Sequence, residues 1–363
     1  MRSARLVTAV AVSAGLIAAL ASCSTDKGDS GKNNSSGGSA SDTVNITTTS
    51  AQPTFVRNWN GFSPAEKKSP GATLFYEPLI RINHLAGKKP EGWLAKSFAW
   101  SDNGKTLTFK LREGVKFSDG KPFTSKDVKY TYEAPVKTKG LALAALGYKS
   151  LETPDANTVV IKYAKTSYQR LSDYAARNIY PQHLWAKQDP KKWTNPNPVG
   201  TGPATLRKFS PQQVGLKFRD DYWGGKSKGV KNVNIKAFAT PEAAKAMLLK
   251  GELSFSSLNW QDAQEQYISK NPKTNKYFTF DTGGDEGLNF NTAKPPLDDV
   301  HVRRALAFAA DPKKLLKLAV TGQNPAGVSG FSPTVYKDLI APAYAGKLSE
   351  PDLAAAKAEL KKS

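Results

Sequence analysis

Residues 94–128 read LAKSFAWSDNGKTLTFKLREGVKFSDGKPFTSKDV, and the fold is decided there. Asn103-Gly104 is a strong hairpin signal, because both residues accept positive φ. Beyond it Leu107, Phe109 and Leu111 alternate with Thr106, Thr108 and Lys110, a period of two that gives a strand one apolar face. Val115 and Phe117 lead to a second turn at Asp119-Gly120. Thr124 then caps a helix, with Asp127 three residues on in a near capping box, and the pattern runs through Val128 and Tyr132 until Pro135 is expected to end it. The segment is thus a β-meander delivering into a helix.

Similar signals flank it. Upstream, Val44 to Thr49 alternates as a first strand. Downstream, the polar turn Pro154-Asp155-Ala156-Asn157 precedes a strand over Thr158–Ile161. The stretch Asp189 to Pro203, broken by Pro190, Pro196 and Pro198, marks a domain crossover. Thr240-Pro241-Glu242 opens the best-marked helix, with a cap, a proline in the first turn and an acid near the positive end of the dipole; Gly251 closes it. Leu253 and Phe255 are expected to begin a strand. Asp298 or Asp299 caps a helix over Val300–Ala310, Asp311-Pro312 restarts one through Leu318, and a last helix covers Leu353–Lys362. About 340 residues remain beyond the leader, more than one core usually serves, so two or more domains are expected.

The first 22 residues have the pattern of an export signal. Arg2 and Arg5 precede the uncharged run Leu6–Leu20, whose 15 residues would rise only about 22 Å as a helix, short of the ~30 Å of a hydrocarbon core. It is therefore a cleavable segment rather than an anchor. Leu20-Ala21-Ser22-Cys23 follows and holds the chain's only cysteine. The pattern resembles the bacterial lipobox, in which the thiol is acylated and becomes the new N-terminus; the alternative is an ordinary signal with a chance cysteine. Asp26 to Asp42 has nothing large and apolar to bury and is expected to serve as a tether spanning about 23 Å.

The net charge of +21 falls to +19 when Arg2 and Arg5 leave with the signal. Scattered lysines and an export signal speak against nucleic acid; the lysines read as solvated charge on a large surface, open to attraction by anionic lipid or wall polymer. His84, His183 and His301 stand far apart, without the spacing of a metal site, and neither a metal nor a cofactor is expected. Gly200-Thr201-Gly202 reads as a turn rather than a phosphate loop, since Pro203 follows where further N–H donors would be needed. Gly327-Val328-Ser329-Gly330 lacks the spacing of a nucleophile elbow. Asp298-Asp299 reads as a helix start rather than an acid/base pair. No catalytic residue is assigned, and the chain is expected not to be an enzyme.

The block 94–128, together with Tyr76-Glu77-Pro78-Leu79, Gly200-Thr201-Gly202-Pro203, Asp221-Tyr222-Trp223-Gly224-Gly225-Lys226 and Leu288-Asn289-Phe290-Asn291 leading to Asp299-Val300-His301-Val302-Arg303-Arg304-Ala305-Leu306, resembles family 5 of the solute-binding proteins of ABC importers, the oligopeptide- and dipeptide-binding class. Ser254 and Ala204 depart from the family's usual acid and aromatic. The resemblance implies an α/β fold of the periplasmic-binding-protein type II kind, two lobes with an extra inserted domain and a cleft that closes on the solute. The implied layout is 1–22 signal peptide, 23–42 lipidated Cys23 and tether, 43–85 and 200–261 domain I, 86–199 domain II, and 262–363 an incomplete domain III. Members of the family continue further, so a C-terminal part is expected to be missing, and with it the acid that receives a peptide's α-amino group.

The implied function is capture of oligopeptides for a membrane permease and its ATPase by a monomer lipid-anchored to the outer face of the cytoplasmic membrane. The alternative within the family is a cello- or xylo-oligosaccharide binder. Trp59 between Asn58 and Asn60, and Trp260 beyond Leu253, suit sugar platforms, although tryptophans at such places also pack domain interfaces. Tyr76 joins the ligand-contact candidates through its block. Asn289 and Asn291 flank Phe290 on an expected strand, so they share a face that either lines the cleft or satisfies buried backbone. Outside the family stand a secreted polysaccharide hydrolase, which needs a carboxylate pair that no motif supplies, and a structural envelope lipoprotein.

Overall fold

A computed structural model describes residues 42–63, 69–83, 89–258, 260, 262–278, 289–319, 341 and 350–363, with backbone alone at 316–319. Cys23, the signal, the tether up to residue 41, His84, Leu288 and Gly327–Gly330 lie outside the described residues. In chain order the elements are β1 (Thr43–Thr47), α1 (Ala72–Phe75), β2 (Ile80–Arg81), β3 (Glu91–Gly92), β4 (Ala95–Ser101), β5 (Thr106–Leu111), α2 (Ser125–Lys137), β6 (Ser150–Asp155), β7 (Thr158–Lys162), α3 (Leu171–Ala175), α4 (Gln182–Trp185), β8 (Ala204–Ser210), β9 (Gln213–Phe218), β10 (Asn232–Lys236), α5 (Pro241–Leu249), α6 (Val300–Ala309), α7 (Pro312–Ala319) and α8 (Leu353–Leu360).

The stretch 94–128 folds as its pattern predicts. β4 and β5 pair antiparallel from Ser101 opposite Thr106 to Phe98 opposite Phe109. Their turn holds Asp102, Asn103 and Gly104 at φ of 50°, 53° and 75°, the left-handed region that asparagine and glycine tolerate best. Leu107 and Phe109 stand opposite Ile161 and Val159 of β7, and all four are fully buried. Thr124 caps α2 in a reciprocal box: its side chain accepts from Lys126 N, and its own N–H reaches Asp127 Oδ2 at 2.8 Å. Pro135 does not end α2, which continues to Lys137. Proline lacks only its own N–H donor, and beyond it Thr138 N donates to Ala134 O at 2.9 Å.

This second sheet has the order β4-β5-β7-β6. Pro154 lies inside β6 rather than in a turn, leaving Ala156-Asn157 as the two-residue connection. The placement is permitted because β6 is an edge strand whose register shifts between Glu152 and Asp155. α2 covers the sheet with Val128 and Tyr132, completing one core around Leu107, Phe109, Phe117, Val159, Ile161 and Tyr174.

The first sheet runs β1-β10-β9-β8, with β1 parallel to β10 and the other pairs antiparallel. Its apolar face, with Val214, Leu216 and Ile235, packs against Trp59, Phe62, Phe75 and Trp185 in a second core. Leu253 and Phe255 do not form a strand; a single parallel bridge joins Phe255 to Ile46. α5 is capped by Thr240, whose hydroxyl accepts from Ala243 N at 3.2 Å, and Gly251 follows it at φ 74°.

The chain passes between the cores at Glu77, with Tyr76 in one and Leu79 in the other. Glu77 is fully buried. Its Oε1 accepts from Trp93 Nε1 at 2.7 Å and Tyr222 Oη at 2.5 Å, and its Oε2 accepts from Trp223 Nε1 at 2.9 Å. Arg81 stands 3.9 Å away and stacks on Trp93. Buried Arg219 ties the same junction from the other side. It donates to the carbonyls of Gly202 and Phe117 at 3.2 and 3.3 Å and to Asp221. Gly200 is required where the strands of chain cross, since a Cβ there would stand 1.9 Å from the Phe75 carbonyl oxygen. Gly200-Thr201-Gly202 is thus a close crossing of backbones.

α6 packs on α8. His301 Nδ1 lies 2.8 Å from Glu359 Oε2, and Lys362 Nζ lies 2.6 Å from Glu359 Oε1. Hydrogen bonds from Lys362 and His301 bring the Glu359 carboxyl from its ordinary 4.5 down to about 2. A depressed folded-state pKa means that this contribution is complete above the ordinary value and lost as pH falls toward about 2. Acid titration followed by circular dichroism should therefore show helix loss between about pH 4.5 and 2, and Glu359→Gln should remove that acid-sensitive component. An unchanged acid profile in the variant would dismiss the pair as a contributor.

Candidate binding face

Parallel strands bring their carboxyl ends to one edge, and open α/β sheets bind ligands outside that edge. Here β1, β10 and the bridged Phe255 segment run parallel, so the edge carries the turns after Thr47, Lys236 and Phe255. Thr47 Oγ1 and Ser256 Oγ lie 2.7 Å apart across it, and Ser254 N donates to Asn45 O at 2.7 Å. The capped N-terminus of α5 opens just beyond β10.

Trp260 sits in this loop system, 8% exposed. Its Nε1 donates to Gln266 Oε1 at 3.0 Å, and Lys245 Nζ of α5 stands 4.8 Å over the ring. Two aromatic side chains beside the edge are more open: Phe255 is 47% and Phe278 67% exposed, with ring centroids 6.5 Å apart and planes at 20°. The pair was not legible from sequence, since nothing local links positions 255 and 278.

The other expected contacts are placed differently. Asn60 is fully buried, and its amide is consumed by the fold. Oδ1 accepts from Phe62 N at 2.7 Å and Ser63 N at 3.0 Å, while Nδ2 donates to Pro190 O at 2.8 Å and Trp193 O at 2.6 Å. Asn58 Oδ1 accepts from Asn60 N, Trp59 Nε1 donates to Pro70 O, and the Trp59 ring meets Phe75 and Phe209 edge-on. Tyr76 is buried against Tyr180, with its hydroxyl bonded to Asn195. Asn58, Trp59, Asn60 and Tyr76 therefore hold the junction of the first sheet with residues 190–195. Asn289 and Asn291 are exposed but lie outside any strand, so the shared-face argument does not apply; Asn291 Oδ1 accepts from Ala293 N at 3.2 Å.

A second, open cleft of about 420 Å³ is lined by Lys96, Arg112, Glu113, Gly114, Val115 and Trp223. Arg112 spans its wall, 5.1 Å over the Trp223 ring and 2.6 Å from Trp93 O. It adjoins the Glu77 junction through both tryptophans. Among the described residues, His183 pairs with Asp119 and His301 with Glu359, Asp299 accepts from His301 N as the α6 cap, and no group of three or more His, Cys, Asp or Glu could hold a metal. No described helix is long and apolar enough to cross a membrane.

Comparison with known proteins agrees with this architecture. The family model described as bacterial extracellular solute-binding proteins, family 5 Middle, matches residues 89–363. A putative ABC transporter peptide-binding protein of Brucella ovis is 33% identical over 248 residues, 65% of this chain and 45% of that protein. The crystal structure of a periplasmic oligopeptide-binding protein of Thermotoga maritima superposes with a TM-score of 0.76 at 25% identity, covering 88% of this chain and 62% of that one. The same Thermotoga protein with bound mannohexaose gives 0.71. The chain thus spans about half the length of the curated relatives it matches.

Proposed function

The chain belongs to family 5 of the bacterial extracellular solute-binding proteins, and from that premise we propose that it serves as the extracytoplasmic receptor of an ABC importer, capturing oligopeptides and passing them to a membrane permease and its ATPase without catalysis. The family match over residues 89–363 carries this reading, and the peptide-binding description of the Brucella relative favours peptide. Anchorage through an acylated Cys23, a monomeric state and the division into 43–85 with 200–261, 86–199 and 262–363 belong to the same proposal. The parallel-strand edge with Phe255, Phe278 and Trp260 is where the solute would lie, with Asn289 and Asn291 as exposed amides available to it. Asn58, Trp59, Asn60 and Tyr76 would support that face from beneath.

A second reading, an oligosaccharide ligand, rests on the mannohexaose-bound Thermotoga relative and on exposed aromatic rings, which suit sugar faces. Thermal melting of the chain against a pool of tri- to pentapeptides, and separately against manno-, cello- and xylo-oligosaccharides, distinguishes the two. A ligand at a hundredfold its Kd stabilises by about 2.7 kcal/mol, a rise on the order of 5 °C or more. A rise with peptides alone is expected; a rise with glycans alone transfers the function to sugar, and none with either rejects both.

A further inference from the structure

The outward face of the first sheet gathers charge of one sign. Val214, Leu216, Val233 and Ile235 turn into the core, so the alternation along a strand sends Gly215, Lys217, Asn232, Asn234 and Lys236 to the other side. On β8 the register with β9 shifts between Leu206 and Lys208, a bulge in which two successive residues oppose one. Arg207 and Lys208 therefore share the outward face, both beside Gly215. A Cβ at Gly215 would stand 2.7 Å from Lys208 Cγ and 3.3 Å from Arg207 Nη2. With no side chain there, Arg207 crosses β9: its Nη2 donates to Asn234 Oδ1 at 2.9 Å, and Asn234 Nδ2 donates to Asn45 Oδ1 of β1 at 2.9 Å.

The four strands carry Arg207, Lys208, Lys217 and Lys236 and no Asp or Glu. None of these four cations forms an ion pair among the described residues. Asp42, the acid just before β1, is held by Lys231 at 3.6 Å. Arg207, Lys208 and Lys217 are exposed and Lys236 is half-buried. Like charges gathered on one sheet face repel one another, and a partner of opposite sign relieves that repulsion. Strands about 4.8 Å apart, with a rise of about 3.3 Å per residue, spread the cations over roughly 14 by 17 Å. Charges laid out on a sheet face, rather than converging on one point, suit a plane of many headgroups better than a single small anion.

We propose that this face docks on an anionic phospholipid surface, with Arg207, Lys208, Lys217 and Lys236 directed at the headgroup phosphates. Its charge does not depend on what solute the parallel-strand edge takes.

The test measures partitioning of the chain from Ser24 onward, which keeps every described residue and carries neither signal nor acyl group. Vesicles of phosphatidylcholine with and without phosphatidylglycerol are compared at low and high salt. Each cation near an anionic surface multiplies partitioning about fivefold. The triple variant Lys208→Gln, Lys217→Gln, Lys236→Gln should therefore lose about a hundredfold on the anionic vesicles at low salt, and binding of the parent should fall as salt screens it. The control variant Lys187→Gln, Lys191→Gln, Lys192→Gln removes the same charge from exposed positions outside the sheet and should lose far less. No preference for anionic vesicles, or an equal loss in the two variants, overturns the proposal. Binding to soluble polyglycerol phosphate but not to vesicles overturns it in favour of a wall polymer. Should the shortened chain fail to fold, the same variants in the full chain decide the matter, since its leader adds an equal contribution to each.

Discussion

Replacing Glu77 with alanine is expected to destabilise the chain by about 3–5 kcal/mol and lower its melting temperature by about 10 °C. The carboxylate is the only hydrogen-bond acceptor described for three half-buried donors, the indole N–H groups of Trp93 and Trp223 and the hydroxyl of Tyr222. Deleting it leaves all three without a described partner, and for half-buried groups each loss costs about 1 kcal/mol, the low end of the range for buried ones, to which the lost packing of the side chain adds. Arg81 adds little, because its side chain is 42% exposed and 3.9 Å distant. Glu77→Gln keeps one acceptor oxygen and turns the other into a donor facing donors, so it should lose somewhat less. Urea unfolding measures the difference, and tryptophan emission should shift to the red as Trp93 and Trp223 come free. A Glu77→Ala protein melting within a degree or so of its parent would refute the assignment of Glu77 as the clamp between the cores.

Asn60→Ala should cost about 3 kcal/mol, from four hydrogen bonds lost together. Two stranded backbone N–H groups, of Phe62 and Ser63, and two stranded carbonyls, of Pro190 and Trp193, result from one truncation. Asn60→Asp keeps the acceptor half and loses the donor half, and should fall between. The measurement also separates a supporting role from a ligand contact. A supporting residue lowers stability strongly, with ligand affinity altered only through the loosened scaffold; a direct contact lowers affinity while the melting temperature holds. Unchanged stability with weakened binding would move Asn60 from the scaffold to the site.

Both residues mark the boundary of what local sequence can reveal. Glu77 receives bonds from positions 16, 145 and 146 residues away, and Asn60 reaches carbonyls 130 and 133 residues away. A single acid or amide in a loop carries no periodicity that would announce such partners. Trp59 and its flanking amides had the composition of a sugar platform, yet residues 189–196 and Phe209 close over them. Composition reports which chemistry a segment could present, and burial decides whether it presents it.

What the sequence by itself determined is the local order: the hairpin at Asn103-Gly104, the alternation of Leu107, Phe109 and Leu111, the capping box at Thr124 and Asp127, and the cap, proline and glycine that delimit α5. These follow from steric limits on φ and from one hydrogen bond or one buried face per few residues, so they are legible within a short window. The family resemblance drawn from the same blocks stands for that reason. Tertiary structure alone decided that Pro135 lies within α2, that Pro154 belongs to an edge strand, that residues 253–255 contribute a single bridge, and that 289–291 form no strand. Each depends on whether a neighbouring chain supplies or withholds a hydrogen-bond partner. The same dependence placed an acceptor beside Trp93, Tyr222 and Trp223.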